Sequence, residues 1–271
     1  MPTEPFSRLE LGLGAALAAG LAVWTALGWG GLTFALVVAS LLLAGGSLWS
    51  CGVLYGAPAA RRFLACGVTL GWLAEEAGAT LGWLFGSYAY TAVLGPKLGA
   101  VPVVIPLMWF GLCHLGWVLA CLLLWRTPVA PRWGWPAGAL TAALAALLVT
   151  AFDLGADPYF VYVLKAWIMT KTDGGWFGET IRGFEGWLIV SFTIVCLFQL
   201  WARPTLAAGP VGRLHRAALL PVGVYAGFIL FQVTQAQPVA LRVVAFFAMG
   251  IPALVAAVAW HLWTRTPGET A

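Results

Sequence analysis

At 271 residues, 62% hydrophobic and only 9% charged, with a mean hydropathy of +0.92, the chain is far from a soluble domain's usual quarter of charged residues and reads as a polytopic membrane protein. Its formal charge of +4 is spread through short connections. With no basic cluster, nucleic acid is not an expected partner, and the basic residues speak of topology.

The polar start, Met1 to Glu10, leads into apolar spans at about 11–27 and 32–49, separated by Gly28-Trp29-Gly30-Gly31. A second span follows the first at once and the start carries little positive charge, so a membrane hairpin fits better than a signal peptide. A third span covers about 63–85. Gly95-Pro96-Lys97, Pro102 and Pro106 punctuate the entry to a fourth at about 103–125. The remaining spans are expected at about 135–152, 186–201, 217–234 and 239–263, with Pro221 and Pro252 as kink positions in the last two. The predicted fold is one all-α membrane domain, a bundle of about eight helices. No internal repeat of the kind that builds inverted-repeat transporters is visible.

Eight spans put both termini on one side. Arg8, Arg61, Arg62, Arg126, Arg132, Arg203, Arg213, Arg216 and Arg265 fall on that side, against Lys97, Lys165, Lys171, Arg182 and Arg242 on the other. By the positive-inside rule both termini are cytoplasmic, in what is expected to be a bacterial cytoplasmic membrane. Asp153, Asp157, Asp173, Glu179 and Glu185 all fall between spans five and six, on the non-cytoplasmic side. The stretch 158–169 within this connection is apolar yet too short to span, and predicts an interfacial or re-entrant helix lying as a lid. Asp157-Pro158 suits an N-cap followed by proline at the first helical position. Asp153, one turn earlier, has no such structural excuse.

Span three carries two adjacent acids, Glu75 and Glu76. Each costs roughly 2.5 to 3.5 kcal/mol at the centre of a membrane helix, so such residues normally face a protein interior and serve a function. Gly71, Glu75, Gly78, Gly82 and Gly86 follow at steps of three or four and predict a single helical stripe open to a neighbouring helix or a slim ligand. Glu76 is turned about 100° away. Glu75 is therefore the better site candidate, the competing reading being a packing role.

Cys51, Cys66, Cys113, Cys121 and Cys196 stand singly in apolar runs, with no metal or redox spacing. His114 falls mid-helix and His261 at a helix end, which does not suit a bis-histidine haem. No phosphate loop, HExxH or Cys/His cluster is present, and no metal or organic cofactor is expected. Among the sixteen tryptophans, Trp29, Trp125, Trp135, Trp201 and Trp263 fall at span ends as interface anchors. Trp72, Trp83, Trp109, Trp117 and Trp167 do not, and could line an aromatic cavity.

The pattern Glu75-x-x-Gly78-x-x-x-Gly82-x-x-Phe85-Gly86-x-Tyr88-x-Tyr90, then Leu94-Gly95-Pro96, Val101-Pro102, Ile105-Pro106 and Trp109, resembles the membrane carotenoid-synthesis proteins that include carotenoid 1,2-hydratases and bisanhydrobacterioruberin hydratase. Asp153-x-x-x-Asp157-Pro158, Trp167, Trp176-Phe177-Gly178 and Gly183-Phe184-x-Gly186-Trp187 are similar to the family's later blocks. One departure is visible: Gly183 stands where the family pattern has Asn, and acidic Glu185 lies between Phe184 and Gly186. The resemblance implies hydration of the terminal double bond of an acyclic carotenoid end group to a tertiary alcohol.

That chemistry needs a proton donor, a cation-tolerant pocket and a water. A carboxyl group in an apolar site can keep its proton at neutral pH, so Glu75 is expected as donor and Asp153 as general base. Asp157 and Glu185 complete the catalytic candidates. Substrate contacts are expected from Glu76, Trp72, Gly78, Gly82, Tyr88, Tyr90, Trp109, Trp167 and Trp187. The implied partners are a hydrophobic C40 carotenoid of the lycopene or γ-carotene type, membrane lipids and other enzymes of the same pathway. End-group cyclisation, which starts from the same protonated alkene, and a proton-coupled lipid or solute carrier are the alternatives.

Overall fold

The computed structural model describes residues 30–131, 134–171 and 174–263. Among these, seven α-helices follow in the order α1 (Gly31–Tyr55), α2 (Ala57–Leu81), α3 (Val104–Trp125), α4 (Trp135–Pro158), α5 (Ile181–Ala202), α6 (Val211–Gln235) and α7 (Ala240–Trp263). The span expected at 11–27 lies outside the described residues. Six of the seven are long and apolar enough to cross a membrane, which makes this a membrane protein. The exception is α2, whose Arg61, Arg62, Glu75 and Glu76 lower its hydropathy; packed against α1, α3 and α5, it does not need a lipid-compatible surface all round. Leu200, Leu230, Ile251 and Leu254, all more than half exposed, give α5, α6 and α7 the apolar outer faces a bilayer requires.

The centre of the bundle is α3, which touches all six other helices. Its side chains include Trp109, Phe110, Trp117 and a run of leucines that are almost wholly buried. Close approach of α2 depends on Gly67 and Gly71, one turn apart. A Cβ on Gly71 would come within 2.7 Å of Trp109 Cβ, and one on Gly67 within 2.6 Å of Phe110 Cα. Away from that contact, Phe63 of α2 stacks on Phe198 of α5 at 3.9 Å.

Helix boundaries differ from the predicted spans where backbone chemistry intervenes. The third span does not reach 85: α2 stops at Leu81, and Gly82 caps it in the left-handed region with φ 69°. The predicted glycine stripe therefore holds for Gly71, Glu75 and Gly78 but not for Gly82 and Gly86. Beyond Gly82, Leu84 and Gly86 also have positive φ and reverse the chain. It then enters β1 (Tyr88–Tyr90), followed by the short hairpin β2 (Lys97–Leu98) and β3 (Val101–Pro102).

The expected lid helix at 158–169 is replaced by something else. Helix α4 runs on through Pro158 into a π turn at Tyr159–Val163 and then β4 (Trp167–Met169). Asp157 is accordingly no N-cap; it sits in the last turn of α4. Strand β4 pairs antiparallel with β1, placing Tyr88 opposite Met169 and Tyr90 opposite Trp167. Alternation along a strand sends Tyr88, Tyr90, Trp167 and Met169 inward and Ala89 and Ile168 outward. The two strands make a lid over one end of the bundle.

Candidate functional site

Beneath that lid lies a small, partly open chamber of about 60 Å³. Four elements supply its carboxyl groups or their neighbours: the end of α2, the start of α3, the end of α4 and the connection into α5. Its walls carry Glu75, Asp153, Asp157 and Glu179 among aromatic and aliphatic side chains, and among the described residues no lysine, arginine or histidine lines it.

Glu75 is 5% exposed. Its Oε2 accepts from the Tyr90 hydroxyl at 2.7 Å and from the Tyr88 hydroxyl, and its Oε1 from Trp109 Nε1 at 2.8 Å. The Tyr-x-Tyr spacing does this because period-two alternation turns both rings inward. Burial, with the Glu75 carboxyl beside them, raises both phenols well above the ordinary tyrosine value. They remain protonated donors.

Asp153 and Asp157 line the chamber from adjacent turns of α4, and Glu179 lines it from the connection into α5. Asp153 Oδ2 and both Glu179 oxygens are buried without hydrogen-bond partners. Burial pushes the Glu179 carboxyl up to about 7. Aromatic rings close the remaining sides: Trp109 lies 4.4 Å from Trp187, and Phe160 stacks on Trp167 at 5.6 Å. Among the described residues no group of three or more His, Cys, Asp or Glu has the geometry to hold a metal ion.

Of the sequence-predicted residues, Glu75, Asp153, Asp157, Tyr88, Tyr90, Trp109, Trp167 and Trp187 converge on the chamber. Others do not. Glu185 is exposed, one helical position past the buried Phe184 and so on the outer side of α5. Glu76, turned away from Glu75 as helical geometry requires, accepts the Ala100 N–H at 2.9 Å and fixes the β2–β3 hairpin. Trp72 serves the same hairpin by donating to the Leu98 carbonyl at 3.1 Å. Gly78 makes room for the Phe85 and Tyr88 rings rather than for a ligand, and Gly82 faces the Ser87 hydroxyl. Trp83 is 61% exposed, and Trp117 packs deep in the bundle, donating to the Tyr55 hydroxyl at 3.1 Å.

Sequence reasoning passed over Glu179, which stood as one of five acids in a long connection. A local signal was present: Thr180 follows it and caps α5, its Oγ1 accepting from Gly183 N at 3.0 Å. An acid just before a cap is held at a helix mouth, and here that mouth opens on the chamber.

No curated protein and no solved structure matches the chain. A family model does: that of the carotenoid biosynthesis proteins, over residues 13–261. With most of its length matched, and with a lidded, aromatic-walled chamber inside a membrane bundle, the chain belongs to the carotenoid biosynthesis protein family.

Proposed function

We propose that this protein adds water to the terminal carbon–carbon double bond of an acyclic carotenoid end group, giving a tertiary alcohol. The observation that supports this most directly is the convergence of Glu75, Asp153, Asp157 and Glu179 on one aromatic-walled chamber. Protonation of a trisubstituted alkene leaves a tertiary cation. The faces of Trp109, Trp167 and Trp187 offer that cation a stabilising surface, and carboxyl groups from separate elements can divide the acid and base work. The apolar remainder suits the polyene, with a C40 carotenoid of the lycopene or γ-carotene type as substrate. It enters from surrounding lipid. By the distribution of basic residues the chamber opens toward the non-cytoplasmic half of the membrane, with both termini cytoplasmic.

The test is expression in a bacterium that accumulates lycopene or γ-carotene, with pigments separated by chromatography and weighed by mass spectrometry. The expected product is a more polar pigment heavier by one water. An isomer of unchanged mass and shifted spectrum would make the protein a cyclase. Unaltered pigment, together with proton-dependent uptake into vesicles, would make it a carrier.

A further inference from the structure

The carboxyl groups of the chamber occupy two unlike settings. Around Glu75 stand three donors, the Tyr88 and Tyr90 hydroxyls and the Trp109 indole, and both carboxyl oxygens accept. Such hydrogen bonds strengthen as negative charge gathers on the acceptor, so this setting suits a carboxylate that receives a proton as a base. The acids from α4 and the connection into α5 are short of donors. Asp153 Oδ2 and both oxygens of Glu179 have no partner, although the two residues are only 2% and 1% exposed. Asp157 lines the same side of the chamber as Glu179. Neighbouring carboxyl groups resist ionising together, because that would set like charges side by side.

Glu179 is brought there by a chain of local constraints. Pro158 has no N–H, so the Leu154 carbonyl one turn earlier lacks its usual helix donor. Trp176 Nε1 donates to that carbonyl at 2.8 Å. Trp176 and Glu179 then exchange backbone hydrogen bonds of 3.1 and 2.8 Å across a tight turn. Its central residues, Phe177 and Gly178, have φ of 48° and 99°, as a type I′ turn requires. Next in the chain, Thr180 caps α5. The acid is pinned between an anchored turn and a helix cap.

We propose that Glu179, beside Asp157 in the chamber wall, protonates the terminal double bond, that Glu75 takes the proton released by the attacking water, and that Trp176 is the positioning residue that seats Glu179. This assignment rests on the hydration reading. It reverses the donor role that sequence alone gives Glu75. The proton leaves Glu179 and forms a C–H bond as the alkene π bond breaks, leaving a tertiary cation. The water oxygen bonds to that carbon, and its surplus proton passes to Glu75. Return of that proton to Glu179 before the next turnover restores both groups, and no proton is consumed overall.

A group held up at about 7 by burial keeps its proton near neutral pH. The ionisable groups facing Glu179 are Asp153 and Asp157 of α4 and Tyr162 of the π turn, with Glu75 in the same chamber.

The test uses the purified full chain in lipid nanodiscs with lycopene in D₂O, comparing the parent with Glu75→Gln, Glu179→Gln and Trp176→Phe. Glu75→Gln should lose the alcohol yet still wash deuterium into recovered carotenoid, since the donor is intact and the cation can return its proton. Glu179→Gln should lose both. Trp176→Phe, which keeps the ring and removes only the N–H, should lower exchange about tenfold with KM unchanged and move the pH midpoint to more acid values. Exchange lost in Glu75→Gln overturns the assignment, whatever Glu179→Gln does, and leaves hydration standing. An unchanged rate and pH profile in Trp176→Phe overturns its positioning role. A parent yielding neither alcohol nor exchange overturns hydration itself. Infrared titration then still judges Glu179 as the protonated group: a protonated carboxyl band that titrates near neutrality and vanishes in Glu179→Gln supports it, and a band untouched by that change overturns it.

Discussion

Tyr90 contributes a single hydroxyl to the site, and that hydroxyl has one principal task, donating at 2.7 Å to Glu75 Oε2. Tyr90→Phe keeps the ring against Trp167 and removes the donor. With one hydrogen bond to a charged acceptor worth about 1.5 to 3 kcal/mol, turnover of the alcohol-forming reaction should fall at least about tenfold, with little change in carotenoid retention. Steady-state pigment assays check both. Gly71 acts on the same carboxyl from behind. A methyl group there would meet Trp109 at 2.7 to 2.8 Å and displace the ring that donates to Glu75 Oε1. Gly71→Ala should destabilise the fold by about 1–3 kcal/mol as an overpacked core does, read as a lowered unfolding midpoint in detergent. Gly223→Ala, where nothing lies within 4 Å, is the control.

At the scale of elements, the site depends on places where helices stop or deform. Helix α2 ends four residues after Ala77 because Gly82 takes a left-handed conformation, and that break allows a strand to follow. Pro158 frees the Leu154 carbonyl for Trp176, and the π turn beyond it redirects the chain into β4. Side chains of α6 steady α4 on its other face: Tyr225 donates to the Leu148 carbonyl at 2.9 Å and Gln232 to that of Phe152 at 2.7 Å. The start of α5 offers a direct check. Thr180 accepts from Gly183 N and donates to the Phe85 carbonyl at 3.3 Å, so it joins the cap to the lid. Thr180→Ala should cost about 1 kcal/mol and speed hydrogen exchange at Gly183 more than at the helix centre.

Across the whole molecule, a buried carboxyl group couples folding to pH. Glu179 is held up at about 7, against an ordinary value of 4.5, chiefly by burial. The folded chain therefore binds this proton more tightly than the unfolded chain does. The stability this contributes is fully present below about pH 4.5 and is lost as pH rises through about 7. The apparent melting temperature should fall over that window, and Glu179→Gln should flatten the fall. A slope unaltered by the substitution would place the responsible group elsewhere.

Membrane class, the existence of six long apolar helices and the inward placement of Glu75 and Asp153 could be read directly from the chain, because hydropathy and the cost of an intramembrane acid act locally along the sequence. The helical period also separated Glu75 from Glu76 correctly: one faces the chamber and the other holds Ala100. What only the tertiary structure decided were the strand pairing of Tyr88–Tyr90 with Trp167–Met169, the outward turn of Glu185 and the arrival of Glu179. Segments 77 to 81 residues apart pair here through backbone hydrogen bonds, which leave no periodic trace long enough to read in three-residue strands. Glu179 and Glu185 are the same residue type only six positions apart; an anchored turn and one step of helical rotation separate the acid in the chamber from the acid outside it.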